Sequence, residues 1–179
     1  MNIVVISSLY PTEANPHSGI FVQEQVRALV AQGCRVKVVA PVPLAPFPLP
    51  LFSTKWAGFH ATPQFDLRES IEVYHPRYLS LPRNWSFERS GQRMYAGLKR
   101  RLGEIAEEFP LDLIHAHAAL PAGYAALQAA EVLKVPYLVT VHGADLQGTI
   151  HLNQRCKNAI GEVFSRSVAV HLVSSKLKR

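Results

Sequence analysis

Cysteine is scarce in this 179-residue chain: Cys34 and Cys156 lie far apart and neither belongs to a CxxC or CxxH spacing. A disulfide framework and a zinc ribbon are thereby excluded, and two scattered thiols fit a reducing cytoplasm. No apolar run approaches the ~18 residues of a membrane span. No stretch of Lys and Arg interleaves with aromatics, so nucleic acid is not an expected partner. Glycine is missing from the places where nucleotide enzymes need it. No G-x-G occurs, and Gly143 to Gly148 has the spacing of a phosphate loop but is followed by Thr149 instead of Lys. G-x-S-x-G, H-E-x-x-H and the EF-hand pattern are absent too, which disfavours a simple NAD enzyme, a P-loop ATPase or an esterase.

What is present is a foldable chain. Hydrophobic residues make up 48% and charged residues 18%, a balance that excludes intrinsic disorder and fits one domain with a sizeable core. Nineteen Lys and Arg against 13 Asp and Glu give a formal charge of +6, suited to phosphates or an anionic membrane face. The densest cluster, Lys99-Arg100-Arg101, is followed by Glu104, Glu107 and Glu108 and reads as a solvated helix face with i,i+3 and i,i+4 pairs. A strand follows Met1 directly, without a basic region and cleavage site, so no secretory leader is expected.

Periodicity then orders the chain. Asn2 to Ser7 (NIVVIS) reads as a strand buried on both faces; Val22, Val26, Leu29 and Val30 recur at helical spacing and stop at Gly33; Arg35 to Ala40 is the next strand. That is a βαβ unit with a right-handed crossover. Pro41 to Phe52 holds five of the 13 prolines and predicts an extended insertion that folds back on the core or stays partly exposed. Further strands are expected at Ile71 to His75, Asp112 to His117, Pro136 to Val141 and Val168 to Val173. Met94, Leu98, Leu102, Ile105 and Phe109 mark one long amphipathic helix, a second should start near Pro121, and a third should cover Arg155 to Phe164. Ser174 or Ser175 reads as the N-cap of a helix that the chain leaves unfinished. The alternation predicts an α/β fold: a doubly wound, open, parallel, Rossmann-like sheet with helices on both faces.

Ligands of such sheets bind beyond the carboxyl ends of the strands. Three loops with reactive residues leave from there: Ser7 to Gly19, His115-Ala116-His117, and His142-Gly143-Ala144-Asp145. Ser18-Gly19 could offer helix N-terminal amides to a phosphate or be a plain cap. His142 could reach a substrate hydroxyl or phosphate, or merely satisfy a loop carbonyl. Asp145 reads as a substrate acceptor or an N-cap, and His115 and His117 share one side of their strand, with only His117 expected at the rim.

The segments SSLYPTEANPHSGIFVQEQVRAL, GCRVKVVAPVP, LDLIHAHAALPAGYAA, VPYLVTVHGADL and VAVHLVSSKLKR, in this order, resemble the N-terminal half of family 4 (group 1) glycosyltransferases. The resemblance implies a GT-B architecture, two Rossmann-like domains facing across a cleft. It implies transfer of a hexosyl group from a nucleotide-sugar, with retention and no required metal or other cofactor. The acceptor would be a saccharide or lipid-linked saccharide of cell-surface polysaccharide or glycolipid biosynthesis, bound chiefly by the N-terminal domain. Carried over to this chain, Ser18 and Gly19 would lie near the donor diphosphate, His142 near the transferred sugar, and His117, Gly143 and Asp145 on the acceptor and sugar side. The family's donor-binding E-x7-E pair has no match, so residues 1–179 are expected to be the acceptor-side domain alone, inactive by itself, with a Pro-rich insertion around 41–70. A cytoplasmic location follows, with possible contact of the insertion and the basic helix with the inner membrane face.

Three rivals remain. His115, His117, His142 and Asp145 have the composition of a three-His-one-carboxylate metal hydrolase. A non-catalytic module of the same fold could bind carbohydrate or lipid head groups. A GT-B sugar-nucleotide epimerase is the third.

Overall fold

Strand β1 (Asn2–Ser7) runs through the centre of the computed structural model, which describes residues 1–45, 48, 51, 53–81 and 85–174. Its side chains alternate between two cores, as the pleat requires. Ile3 and Val5 meet Val22 and Val26 of α1 (Ile20–Ala31) on one face. Val4 and Ile6 meet Met94 and Leu98 of α3 (Ser90–Glu108) on the other. All the stripe positions of α3, from Met94 through Ile105 and on to Phe109, are buried, each contributing about 1.5–3 kcal/mol of transfer free energy.

The main sheet has the order β4-β5-β2-β1-β7-β8-β9. Its other strands are β2 (Arg35–Val39), β4 (Phe65–Arg68), β5 (Ile71–Tyr74), β7 (Leu113–His117), β8 (Tyr137–Val141) and β9 (Ala169–Leu172). All pairings are parallel except β4 with β5. The expected doubly wound α/β sheet is therefore present, with strand ends shifted by a residue or two. At its far edge, β9 leaves Val170 exposed, and the flanking Val168 and Val173 are exposed too.

Several elements were not anticipated. The β4–β5 hairpin adds an antiparallel edge. A small separate sheet pairs β3 (Val42–Pro43) with β6 (Arg77–Tyr78), and α2 (Thr54–Ala61) lies between. The Pro-rich stretch thus starts as a short edge strand with Val42 and Ala45 buried and Leu44 exposed; residues 46, 47, 49, 50 and 52 of it lie outside the described residues. So does Ser175, and with it the expected terminal helix.

One helix start differs from expectation. Pro121 does not open α4 (Tyr124–Leu133); it follows a cis peptide in the wide turn 119–123, where Leu120 is extended (φ −127°, ψ 135°). Gly123 lets that turn close: a Cβ there would lie 2.9 Å from Val163 and 3.0 Å from the Ala118 carbonyl. Helix α6 (Gln154–Arg166) is capped by Asn153, whose side chain accepts from the Cys156 amide at 2.8 Å. On the exposed face of α3, Arg100 and Arg101 both pair with Glu104, the solvated arrangement the charge pattern implied.

Candidate functional site

Parallel register brings the exits of β1, β7 and β8 side by side: Ser7 pairs with His117, and His117 with Thr140. The loops that follow then meet. Gly19 caps α1 at φ +72°, and a Cβ there would lie 2.4 Å from the backbone carbonyl of Leu9. Glycine is required for conformation and for space together. Ser18 makes no side-chain cap, and with the Val22 amide donating to the Gly19 carbonyl at 2.9 Å, the amides of Ile20 and Phe21 are the first-turn donors that face the loop without an intrahelical acceptor. Exposed Phe21 in that turn packs on His142, ring centroids 4.5 Å apart.

His142 is half-buried, and its Nε2 lies 2.9 Å from Nδ1 of His117. His117 does not reach the rim as expected: it is 2% exposed, stacked between His115 at 4.6 Å and His142 at 5.2 Å. Strand direction explains this, because the β8 exit folds over the end of β7. Burial, reinforced by neighbouring histidines, pushes His117 down to about 2 and His115 down to about 4, and burial also lowers His142. All three are neutral near pH 7. His117 Nε2 is buried without a partner. An unpartnered acceptor costs less than an unpartnered N–H, which favours His117 Nδ1–H donating to His142 and leaves His142 to present Nδ1–H outward.

Asp145 is neither an N-cap nor open to a ligand on both oxygens. It is 2% exposed, and its Oδ1 accepts from the amides of Ala119 (2.9 Å) and Leu120 (3.3 Å), tying the β8 exit to the β7 exit. Its Oδ2 has no partner, and burial raises its pKa against those hydrogen bonds. Gly143 supplies the φ of +103° that opens the short helix α5 (Ala144–Gln147).

The metal-hydrolase arrangement is not formed. His117 faces His142, His115 Nε2 bonds Thr140 Oγ1 at 2.8 Å, and Oδ1 of Asp145 is held by backbone amides. Among the described residues no three such groups converge on one point.

Beside the loops lies a cavity of about 360 Å³, lined by Asp145, Leu120, Tyr78, Leu79, Ser90 and Arg93 among others. Glycines set its walls. A Cβ at Gly91 would strike Tyr124 at 2.4 Å, and one at Gly97 would strike the Arg77 carbonyl at 2.4 Å, so α3 lies directly on the 119–123 turn and on β6. Ser90 and Arg93 were missed from sequence because the start of an amphipathic helix reads as solvent-facing.

A mostly parallel sheet with its loops gathered on one carboxyl edge is the class of the Rossmann-like domains of GT-B glycosyltransferases. Residues 18–179 match the glycosyl transferase 4-like domain, and the chain belongs to that family. It is 29% identical over 178 residues to the putative teichuronic acid biosynthesis glycosyltransferase TuaC of Bacillus subtilis (strain 168), covering 99% of this chain and 45% of the relative. Sucrose-phosphate synthase from Thermosynechococcus elongatus shares the fold at TM-score 0.62 and 16% identity, over 95% of this chain and 41% of that one. UGT89C1 of Arabidopsis thaliana, solved with UDP, aligns at TM-score 0.51 and 11% identity, over 97% of this chain and 42% of that one. The chain thus spans less than half the length of these relatives. Among the described residues no helix is long and apolar enough to cross a membrane.

Proposed function

We propose that the chain is the acceptor-side half of a retaining glycosyltransferase that moves a hexosyl group from a nucleotide-sugar to a saccharide or lipid-linked saccharide. The teichuronic acid biosynthesis for which TuaC is named supports a polysaccharide product. The observation that carries the reading is the convergence of Gly19, His142 and the Asp145-lined cavity on one sheet edge.

In this reading the first-turn amides of α1 offset charge on the leaving diphosphate. His142 donates Nδ1–H to the sugar or diphosphate, its ring held between Phe21 and His117. His117 is a positioning residue, kept neutral so that the shared hydrogen bond has one direction. The acceptor lies in the cavity and attacks from the face the diphosphate leaves, so the rate gain comes from proximity and preorganised donors and not from a metal. Donor affinity resides in a second domain.

Calorimetry tests this directly. Nucleotide-sugars should show no micromolar binding to the 179-residue chain, and micromolar affinity would refute the half-enzyme reading. In the two-domain enzyme, His142→Ala should lower kcat about hundredfold; unchanged turnover would remove the role given to His142.

A further inference from the structure

Three polar groups of the cavity have no partner: Asp145 Oδ2, Ser90 Oγ and Arg93 Nε are each buried without a hydrogen bond. Asp145 is 2% and Ser90 6% exposed, and all three residues line the same space. Buried polar atoms are paired in folded proteins, so three orphans in one cavity mark the place of a ligand.

Their chemistry differs by element. Ser90 and Arg93, three residues apart, sit on one face of α3. The half-buried Arg93 gives one terminal nitrogen to the Ser86 carbonyl at 3.0 Å, and no carboxylate lies within ion-pair distance of it among the described residues. A permanent cation with a free Nε–H beside a free hydroxyl asks for an anionic oxygen. Asp145 Oδ2, arriving from the β8 exit, accepts only and asks for a hydroxyl donor. Leu79, Leu120 and Tyr78 offer apolar surface to the C–H faces of a ring.

We infer that this cavity binds an anionic saccharide, its carboxylate or phosphate on Arg93 and Ser90 and a ring hydroxyl on Asp145. The inference rests on the acceptor-side reading and narrows it: the acceptor enters as a charged sugar. At about 360 Å³ the cavity holds one sugar unit with its charged group, at the low end of the ~300–1,000 Å³ of ligand sites.

Glucuronate, a hexose phosphate, glucose and inorganic phosphate are each titrated into the isotope-labelled chain and followed by NMR. At least one anionic sugar should shift the amides of Ser90, Arg93, Ala119 and Leu120 and bind about tenfold or more tighter than glucose. Which of the two does so identifies the charged group. Arg93→Ala and Ser90→Ala should erase that preference, while Arg101→Ala, outside the cavity, keeps it. Thermal melts check the fold, and the nearly isosteric Ser90→Ala carries the test if Arg93→Ala unfolds. Glucose binding as tightly as both anionic sugars would overturn the charged-sugar inference and leave the acceptor-side reading standing. Inorganic phosphate binding as tightly as the hexose phosphate, with glucuronate no tighter than glucose, would also overturn it. No sugar shifting these amides would sink both.

Discussion

Gly19→Ala tests whether the β1 exit is held by steric closeness. The substitution meets two penalties. An L residue at φ +72° costs about 1–2 kcal/mol. The new Cβ would also stand 2.4 Å from Leu9 C and O and 2.7 Å from Tyr10 N, all backbone, so the loop itself must move, at about 1–3 kcal/mol more. A total near 2–5 kcal/mol is a large share of the ~5–15 kcal/mol that holds a domain together. Gly33→Ala is the matched control: φ is +81°, but nothing lies within 4 Å of the added Cβ, so only the conformational cost of about 1–2 kcal/mol applies. Gly103→Ala, inside α3 with open space around it, should stabilise by up to about 1 kcal/mol. Urea unfolding of the three variants at one pH gives the ranking. Equal losses for Gly19→Ala and Gly33→Ala would refute the close approach of Gly19 to the Leu9 backbone.

The histidine row makes the fold acid-sensitive. Burial holds His115 near 4 and His117 near 2, against 6.5 for the free side chain, so below about pH 6.5 the unfolded chain binds protons that the native state refuses. Stability should therefore fall with acid from pH 6.5 to 4, by up to about 1.4 kcal/mol per pH unit for each ring. A urea midpoint that stays level between pH 7 and 5 would contradict this, and His117→Gln should flatten the dependence. Asp145→Ala strands the buried amides of Ala119 and Leu120 and should cost about 2–5 kcal/mol. Asp145→Asn, which keeps an acceptor oxygen, should retain most of that, and equal losses in the two melts would deny the clamp.

Much of the architecture is legible from apolar patterning because β1, β7 and β8 are buried on both faces and read as short, mostly apolar runs, interrupted in β7 by His115 and His117 and in β8 by Thr140. The α3 stripe is legible for the same reason. The β4–β5 hairpin is not: its turn residues, Glu69 and Ser70, both have positive φ without glycine or asparagine, and the apolar Phe65 and Leu67 point to solvent. Helix α2 buries no residue fully and leaves no stripe to read. In the site, chain position showed which loops reach the edge. It did not reveal that His117 lies beneath His142, that Asp145 serves the backbone, or that Arg93 turns inward. The first two depend on contacts between residues 25 or more positions apart.

The margin of β9 that no described strand covers has a consequence for handling the molecule. Among the described residues β8 is its one strand neighbour, and from Val168 to Val173 the sequence holds no proline, acid, lysine or arginine to discourage a newcomer. Two molecules in solution can therefore zip their margins into a continuous fourteen-strand ribbon, seven from each. Concentrated stocks should sediment as dimers and larger species, and Val170→Lys should return them to monomers without touching the ligand-facing edge.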